Sequence, residues 1–456
     1  MILGTDIIVL AAGEGTRMKS SLTKVLHCVG GMPMLGHVIA TAKSIGANRL
    51  AAVVGPDADA VETFLAKNAP TADIFVQRER LGTGHAVMAA KPFYSKENNA
   101  SIVLYGDTPL VRGETILQIT KLLEGDADLV VLGFEPKVPT GYGRLLMDGD
   151  QLTAIREEKD ATEQEREVGL CNAGAMGFGP GVLGALLDSL TSDNAQGEYY
   201  LTDCVEHARA AGLSVKIVKG DIADAAGVNS RSQLADVEAM FQARCRVSAM
   251  ANGVTLVAPE TVFFSFDTTL SNDVTVEPNV VFGPGVNVET GATIKAFSHL
   301  EGAKVGAGAT VGPYARLRPG TNLLENTKVG NFVEIKSAIV EKGSKINHLT
   351  YIGDANIGAG VNIGAGTVTC NYDGFGKHKT TIGDSAFIGS GSLLVAPLEI
   401  GVDAYVATGS VITESVEEGA LAFGRARQIN KQGRGARLKT ELQAAKEEAA
   451  QQKSKS

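Results

Sequence analysis

From Phe264 onward a large apolar side chain returns at every sixth residue, standing at Phe264, Leu270, Val276, Phe282, Val288, Ile294 and Leu300. A five-residue step leads to Val305, Val311, Leu317, Leu323, Val329 and Ile335, another to Val340, Ile346 and Ile352, and a third to Ile357 and Ile363. After an insertion the series resumes at Ile382, Ile388, Leu394, Ile400, Val406 and Ile412. Two residues before many of these stands a small or β-branched one: Ala303, Ala309, Ala315, Thr321, Thr327, Val333, Ala386, Ser392, Ala404 and Ser410. Residues i and i−2 of a strand face the same way, so each hexad turns one large and one small side chain inward before the chain bends. Three hexads close a triangular coil, and coils stack about 4.8 Å apart as parallel strands. This pattern predicts a parallel β-helix of hexapeptide repeats. Glycine often follows the large residue, as at Gly306, Gly330, Gly364 and Gly389, and is expected there because it suits a sharp corner. The insertion, residues 370–379, leaves the period and is expected to bulge from the prism as a loop, where binding residues often lie.

The preceding half follows another rule. Between Asp6 and about Gly227, apolar runs at 7–10, 50–54, 74–76, 102–105 and 129–134 read as strands, with amphipathic stretches such as 35–45 and 58–65 between them. Continuous apolar strands alternating with helices predict a mostly parallel, Rossmann-like α/β sheet covered on both faces. Leu234, Val237, Phe241 and Cys245 then form a single helical stripe. The expected organisation is an α/β domain over 1–228, a helical linker over 229–250, a β-helix over 251–430 and a polar tail over 431–456. Within that tail, 437–455 forms a loose helix or stays disordered.

Composition removes several classes of function. The net charge is −9, with no basic stretch beyond the short tail, so no nucleic-acid partner is expected. No apolar run approaches the ~18–20 residues of a membrane span. The N-terminus, from Met1 to Gly13, carries Asp6 and no early positive charge, unlike a signal peptide. The five cysteines are odd in number and include no CxxC, which fits neither a disulfide framework nor a zinc site and points to a reducing cytoplasm. The 54 glycines, the absence of Trp and the 5% of aromatic residues leave the cores to aliphatic and small side chains.

The first strand runs into Ala11-Ala12-Gly13-Glu14-Gly15-Thr16-Arg17-Met18, with Lys24 soon after. Glycines let backbone N–H groups approach phosphates, and Arg17 and Lys24 can neutralise charge on them; a tight turn is the alternative reading of GxG alone. The string is not a Walker A loop, and Met18 stands where a dinucleotide fingerprint would place its third glycine. Leu81-Gly82-Thr83-Gly84-His85-Ala86 follows Gln77, and Tyr105-Gly106-Asp107 ends a buried strand. A carboxylate there suits Mg²⁺ or serves as a turn residue. Gly141-Tyr142-Gly143-Arg144, Glu157, Cys171-Asn172-Ala173-Gly174 and Gly227-Val228-Asn229 follow in order.

The glycine-rich string resembles the signature of the sugar-phosphate nucleotidyltransferases, with Thr23 where that family usually has proline before the lysine. Followed by a hexapeptide helix, the whole set resembles the bacterial bifunctional family of N-acetylglucosamine-1-phosphate uridyltransferase and glucosamine-1-phosphate N-acetyltransferase. The likeness extends to about Lys431. It implies an α/β nucleotidyltransferase domain and a left-handed β-helix in a cytoplasmic homotrimer. It also implies acetylation of glucosamine 1-phosphate by acetyl-CoA, then uridyl transfer from UTP to N-acetylglucosamine 1-phosphate. The product, UDP-N-acetylglucosamine, supplies peptidoglycan and lipopolysaccharide synthesis. Carried over by position, Leu10, Ala11, Ala12, Gly13, Gln77, Gly82, Thr83, Tyr105 and Gly106 would lie around the nucleotide. Arg17 and Lys24 would act on the triphosphate, Asp107 and Asn229 would bind Mg²⁺, and Gly143, Glu157 and Asn172 would hold the amino sugar.

In the repeat half, the informative positions are violations of the pattern. Arg318 and Lys336 take the place usually held by glycine, three hexads apart, and should stack on one edge. Such a pair is a solvated surface feature or an anion site. His348 is not at an inward position. Within the resemblance His348 matches the general base, while Arg318, Lys336, Tyr351 and Asn362 match sugar-phosphate residues. Asn371 and Tyr372 match acyl-CoA or sugar contacts. Ala365, Ser390, Thr408 and Arg425 match acetyl-CoA contacts, Thr408 being often alanine in the family. His348 belongs to a different hexad class from the Arg318–Lys336 edge, which agrees with acetyl-transfer sites between prisms. A one-activity nucleotidyltransferase with a structural β-helix, or a non-catalytic scaffold, is the competing reading. The retained charged residues argue against both.

Overall fold

The computed structural model describes residues 4–94 and 99–453; the first residues of the N-terminal reading, 1–3, and the last of the tail, 454–456, lie outside it. The chain divides into two compact units, Met1–Asn287 and Val288–Ser456.

In the first unit the expected strands form. β1 (Thr5–Ala11), β2 (Arg49–Val54), β3 (Asp73–Val76), β4 (Ala100–Tyr105) and β5 (Leu129–Phe134) join β6 (Arg144–Asp148), β7 (Gln151–Arg156), β8 (Cys171–Phe178) and β9 (Val215–Lys219). The sheet runs β9-β5-β8-β4-β1-β2-β3, with the β6–β7 hairpin attached to β8. β1 pairs in parallel with β2 and β4, whereas β8 is antiparallel to both its neighbours. Every residue of β1 is buried. Because side chains alternate, Ile7 and Val9 enter one apolar cluster and Ile8 and Leu10 another, on opposite faces. Helices Met34–Ser44 and Asp59–Asn68 stand where amphipathic stretches were expected.

The linker helix runs Arg231–Ala251. It is no free connector, for Val237 and Phe241 bury their side chains against Met18, Val29, Met34 and Leu110. Glu238 accepts from the Gly30 N–H at 2.7 Å, and the Gln242 carboxamide bonds both the N–H and the carbonyl of Phe264, each at 2.8 Å. The first hexads, 255–287, belong to this same unit.

The second unit is a left-handed parallel β-helix. On its first face Ile294, Val311, Val329, Ile346, Ile363, Ile388 and Val406 lie in register, one per coil. A second face carries Leu300, Leu317, Ile335 and Ile352, and a third Val305, Leu323, Val340 and Ile357. All these side chains are buried, as are the small residues two positions earlier. The register passes over the insertion: Ile363 still pairs with Ile388 and Val368 with Leu393.

The glycines that follow the large residue do not act as expected. Gly312 has a left-handed backbone, but Gly306, Gly330, Gly364 and Gly389 do not; the corners fall two residues after this position, as at Gly308, Gly320 and Asn326. Glycine after the large residue is required by close approach. A Cβ on Gly330 would lie 1.9 Å from the Asn347 carbonyl oxygen of the next coil, and one on Gly389 2.4 Å from the Thr408 nitrogen. Beyond the coils, Arg434–Lys453 is a helix exposed along its described length.

Candidate active sites

Parallel strands of the first unit end in two cavities that meet at Asp107. One, of about 300 Å³, is lined by Leu10, Ala12, Gly13, Lys24, Gln77, Gly82, Thr83 and Tyr105 among others. The other, of about 410 Å³, is lined by Arg17, Gly143, Glu157, Asn172 and Asn229. Thr83, Tyr105, Asp107 and Glu198 belong to both. Ala11 lies on a small adjoining cavity with Ala12, Gly13 and Arg80. Gly106 lines neither main cavity. Its N–H donates to Leu10 at 2.9 Å, tying the ends of β1 and β4 together.

The chemistry concentrates at the junction. The Lys24 ammonium pairs with the Asp107 carboxylate and donates to Asn229 Oδ1 at 3.0 Å. Gly15 makes this possible: its φ is +67°, and a Cβ there would lie 2.5 Å from the Lys24 Cβ. Two oxygens thus already hold a cation. A carboxylate and a neutral amide oxygen fit Mg²⁺, which takes the rest of its shell from water and phosphate. Among the described residues no cluster of three His, Cys, Asp or Glu could hold a metal, so a two-ligand set is what this site offers. In the second cavity burial raises the Glu157 pKa, with Asp203 and Asp160 adding to it, while the Thr202 hydroxyl, donating at 2.9 Å, opposes the shift. Asn172 Oδ1 accepts from the Gly174 N–H at 3.0 Å, leaving its NH₂ free of that bond.

In the β-helix the expected residues fall into two groups. The first lies near the edge between second and third faces. Arg318 and Lys336 follow paired residues of adjacent coils, Leu317 and Ile335. Arg318 donates to Glu334 at 2.9 Å. Tyr351 and Asn371 converge over Gly353, where a Cβ would lie 2.5 Å from the Tyr351 hydroxyl and 2.6 Å from Asn371 Nδ2. Asn371 is buried and donates to Asp354. Tyr372 is exposed, its hydroxyl donating to Gly374 within the loop at 2.6 Å.

The second group lies on the edge between first and second faces. His348, Ala365, Ser390 and Thr408 each stand two residues after a stacked core residue of the first face. Bonds of one kind link them downward: Gly366 N–H to His348 carbonyl, Gly391 to Ala365, Gly409 to Ser390. Arg425 closes the row, its Cδ 3.7 Å from where a Gly409 Cβ would be. Asn362 lies on the face leading to this edge. The corners of the edge change character along its length. Above, Phe297, Tyr314, Phe332 and Leu349 are left-handed and exposed. Phe297 stacks on Tyr314 at 4.9 Å and Tyr314 on Phe332 at 5.3 Å. Below, Gly366, Gly391 and Gly409 occupy the same corner and leave a bare strip.

Several residues escaped the sequence reading. The side-chain oxygen of Asn331 lies 2.8 Å from His348 Nδ1. Lys377, on the insertion loop, lies beside Lys336 and lowers its pKa, with Arg318 adding to the effect. Glu198 lines both cavities of the first unit. None repeats with a period, and only the folded chain brings them to their neighbours.

Residues 7–168 match the MobA-like NTP transferase domain family. Along nearly its whole length the chain is similar to proteins called bifunctional protein GlmU. That of Azorhizobium caulinodans is 55% identical over 433 residues, 95% of this chain and 97% of the relative. Those of Brucella canis and Parvibaculum lavamentivorans are each 57% identical, over 96% and 93% of this chain and 97% and 94% of theirs.

Proposed function

The chain belongs to the bifunctional GlmU family, and from that premise we propose how its residues divide two reactions. It is an enzyme of UDP-N-acetylglucosamine synthesis with uridyltransferase and N-acetyltransferase activities. In our reading the β-helix first acetylates glucosamine 1-phosphate from acetyl-CoA. The α/β unit then joins N-acetylglucosamine 1-phosphate to UTP and releases pyrophosphate.

The observation that carries the first site is the meeting of Lys24, Asp107 and Asn229 where the two cavities join. The nucleoside occupies the cavity of Gln77, Gly82 and Thr83, and the amino sugar that of Gly143, Glu157 and Asn172. The sugar phosphate oxygen then faces the α-phosphorus at Asp107 and attacks in line. Arg17 and Lys24 neutralise charge on the triphosphate as pyrophosphate leaves. Asp107 and Asn229 would hold Mg²⁺, which when bound supplies further neutralisation of the phosphates. Lys24 must then leave its place between them and turn to phosphate.

At the second site the edge of Ala365, Ser390, Thr408 and Arg425 takes acetyl-CoA along its bare glycine strip, the thioester directed to His348. Arg318, Lys336 and Lys377 grip the sugar phosphate. His348 takes a proton from the 2-amino group as the nitrogen attacks the thioester carbonyl and the CoA thiolate departs. The two groups of residues lie on different edges of one prism, so a site that needs both is built between copies. The stacked ladder of Phe297, Tyr314 and Phe332 supports this. Large apolar side chains in left-handed backbone, exposed and adjoining the His348 edge, suit contact with a second copy in a homotrimer. The five free cysteines suit a cytoplasmic location.

The test is to assay the full chain for pyrophosphate release from UTP with N-acetylglucosamine 1-phosphate, and for CoA thiol release with glucosamine 1-phosphate. Both should occur, and loss of either activity from a folded trimer would remove the corresponding assignment.

A further inference from the structure

Gln77 is buried where β3 meets the first cavity, its backbone N–H bonded to Val54 at 2.9 Å. Its carboxamide nitrogen lies 3.0 Å from the Gly82 carbonyl oxygen and 3.3 Å from Nδ1 of His85. A carbonyl oxygen only accepts, so the group facing it is the NH₂. The same NH₂ faces His85 Nδ1, which serves as a second acceptor only when it carries no proton; the ring is then the Nε2–H tautomer. Both amide hydrogens are thereby used. Turning the carboxamide over would set its oxygen against the Gly82 oxygen and against the lone pair of the imidazole. Oε1 is left as a pure acceptor, and none of the described hydrogen bonds ends on it.

His85 is itself braced. It lies in helix Thr83–Ala89, which begins after left-handed Gly82. The Gly84 N–H donates to the Tyr199 carbonyl at 2.8 Å, and the Tyr199 N–H returns to Leu81 at 2.8 Å. The His85 ring lies 6.2 Å from that of Tyr199.

We propose that His85 is a positioning residue for base selection: it holds Gln77 so that Oε1 meets a ring N–H of the base. This rests on the reading of the first cavity as the nucleoside site. Uracil presents such an N–H at N3, between two carbonyl oxygens, whereas cytosine presents a lone pair there. An acceptor opposite an acceptor leaves both unpaired in a buried place, which is where discrimination between similar substrates becomes large. Gly82 alone would orient the amide. His85 removes the freedom to swing away and pair with cytosine.

The experiment uses the full chain and compares kcat/KM for UTP and for CTP, each with N-acetylglucosamine 1-phosphate. His85→Phe keeps a ring and loses the acceptor; its UTP preference should fall about tenfold, the size of one hydrogen bond. His85→Asn places a side-chain oxygen near where Nδ1 stood and should stay within about threefold of the original preference. Acetyl transfer should be unchanged in both. An unaltered preference in His85→Phe, while Gln77→Ala loses it, overturns the role of His85. Equal loss in His85→Phe and His85→Asn overturns it too, since that marks a packing role. An unaltered preference in Gln77→Ala itself would show instead that the cavity does not hold the base, and the proposal falls with that reading.

Discussion

The side-chain oxygen of Asn331 faces Nδ1 of His348 from the neighbouring coil, at the matching register and 2.8 Å away. As an acceptor it keeps a proton on Nδ1 and leaves the lone pair on Nε2, the form of imidazole that can receive a proton from an amine. His348→Ala should therefore lower acetyl-transfer turnover by about 10²–10⁴-fold, the range of general base catalysis. Asn331→Ala should lower it about tenfold, by loss of tautomer and orientation. Asn331→Asp keeps a side-chain oxygen opposite Nδ1 and should retain turnover that Asn331→Ala loses. Acetyl-transfer turnover of the three variants, with uridyl transfer as the internal control, checks this.

Asp107→Ala removes the carboxylate that pairs with Lys24 at the junction of the first unit's two cavities. Uridyl transfer should be lost and acetyl transfer kept near wild type. Of the two described partners of the Lys24 ammonium, Asn229 would remain, and a neutral oxygen alone holds Mg²⁺ poorly. The loss should therefore resist added Mg²⁺. Assays of both activities across a Mg²⁺ titration measure it.

Glu157 gives a pH dependence with a definite sign. Burial raises its pKa in the folded chain, with Asp203 and Asp160 assisting. Between the ordinary carboxylate pKa and the raised one, the folded state binds more protons than the unfolded state, so its contribution to stability falls as pH rises through that window. Glu157→Gln removes this cost. The variant should melt higher than wild type at neutral pH, with the gap closing as pH falls toward the ordinary carboxylate range. It should also bind N-acetylglucosamine 1-phosphate more weakly. Thermal unfolding at several pH values, with sugar-phosphate titration, tests both parts.

Much of this architecture was legible because periods report burial. The large residues between Val288 and Ile412 that mark the hexads are buried in coil after coil. In the first half the unbroken apolar run Leu129–Phe134 is buried throughout, and Ala100–Tyr105 loses full burial only at its last residue, where the strand reaches the cavities. The edge strand Asp73–Val76 was read from the same kind of run although Ile74 and Val76 are exposed. The pairings at the sites were less legible. Asn331 and His348 are 17 residues apart, an offset set by a five-residue step between hexads, and nothing in either hexad marks the other as its partner. Lys377 lies on the insertion, outside any register, and reaches Lys336 only through the loop's own fold. The glycines after the large residues carry a signal that was read with the wrong cause, because close approach between coils is a property of stacking and not of one hexad.

The aromatic ladder makes a prediction about assembly. Tyr314 stacks between Phe297 and Phe332 with its ring exposed. Tyr314→Glu puts a charge into the proposed contact between copies, where burial without a partner is costly. The variant should sediment as a monomer, lose acetyl transfer and retain uridyl transfer. Light scattering after gel filtration, with both assays on the same fractions, reads all three.

The most direct measurement mixes two inactive chains. His348→Ala and Lys336→Ala should each abolish most acetyl transfer while leaving uridyl transfer intact. If each site takes His348 from one copy and the Lys336 edge from another, every trimer that contains both variants regains one of its three sites. Co-expression of the two tagged variants, with purification of mixed trimers and assay of CoA thiol release, gives the number. Recovery toward about a third of wild-type acetyl transfer is the predicted result; mixed trimers as inactive as either parent would contradict a site built between copies.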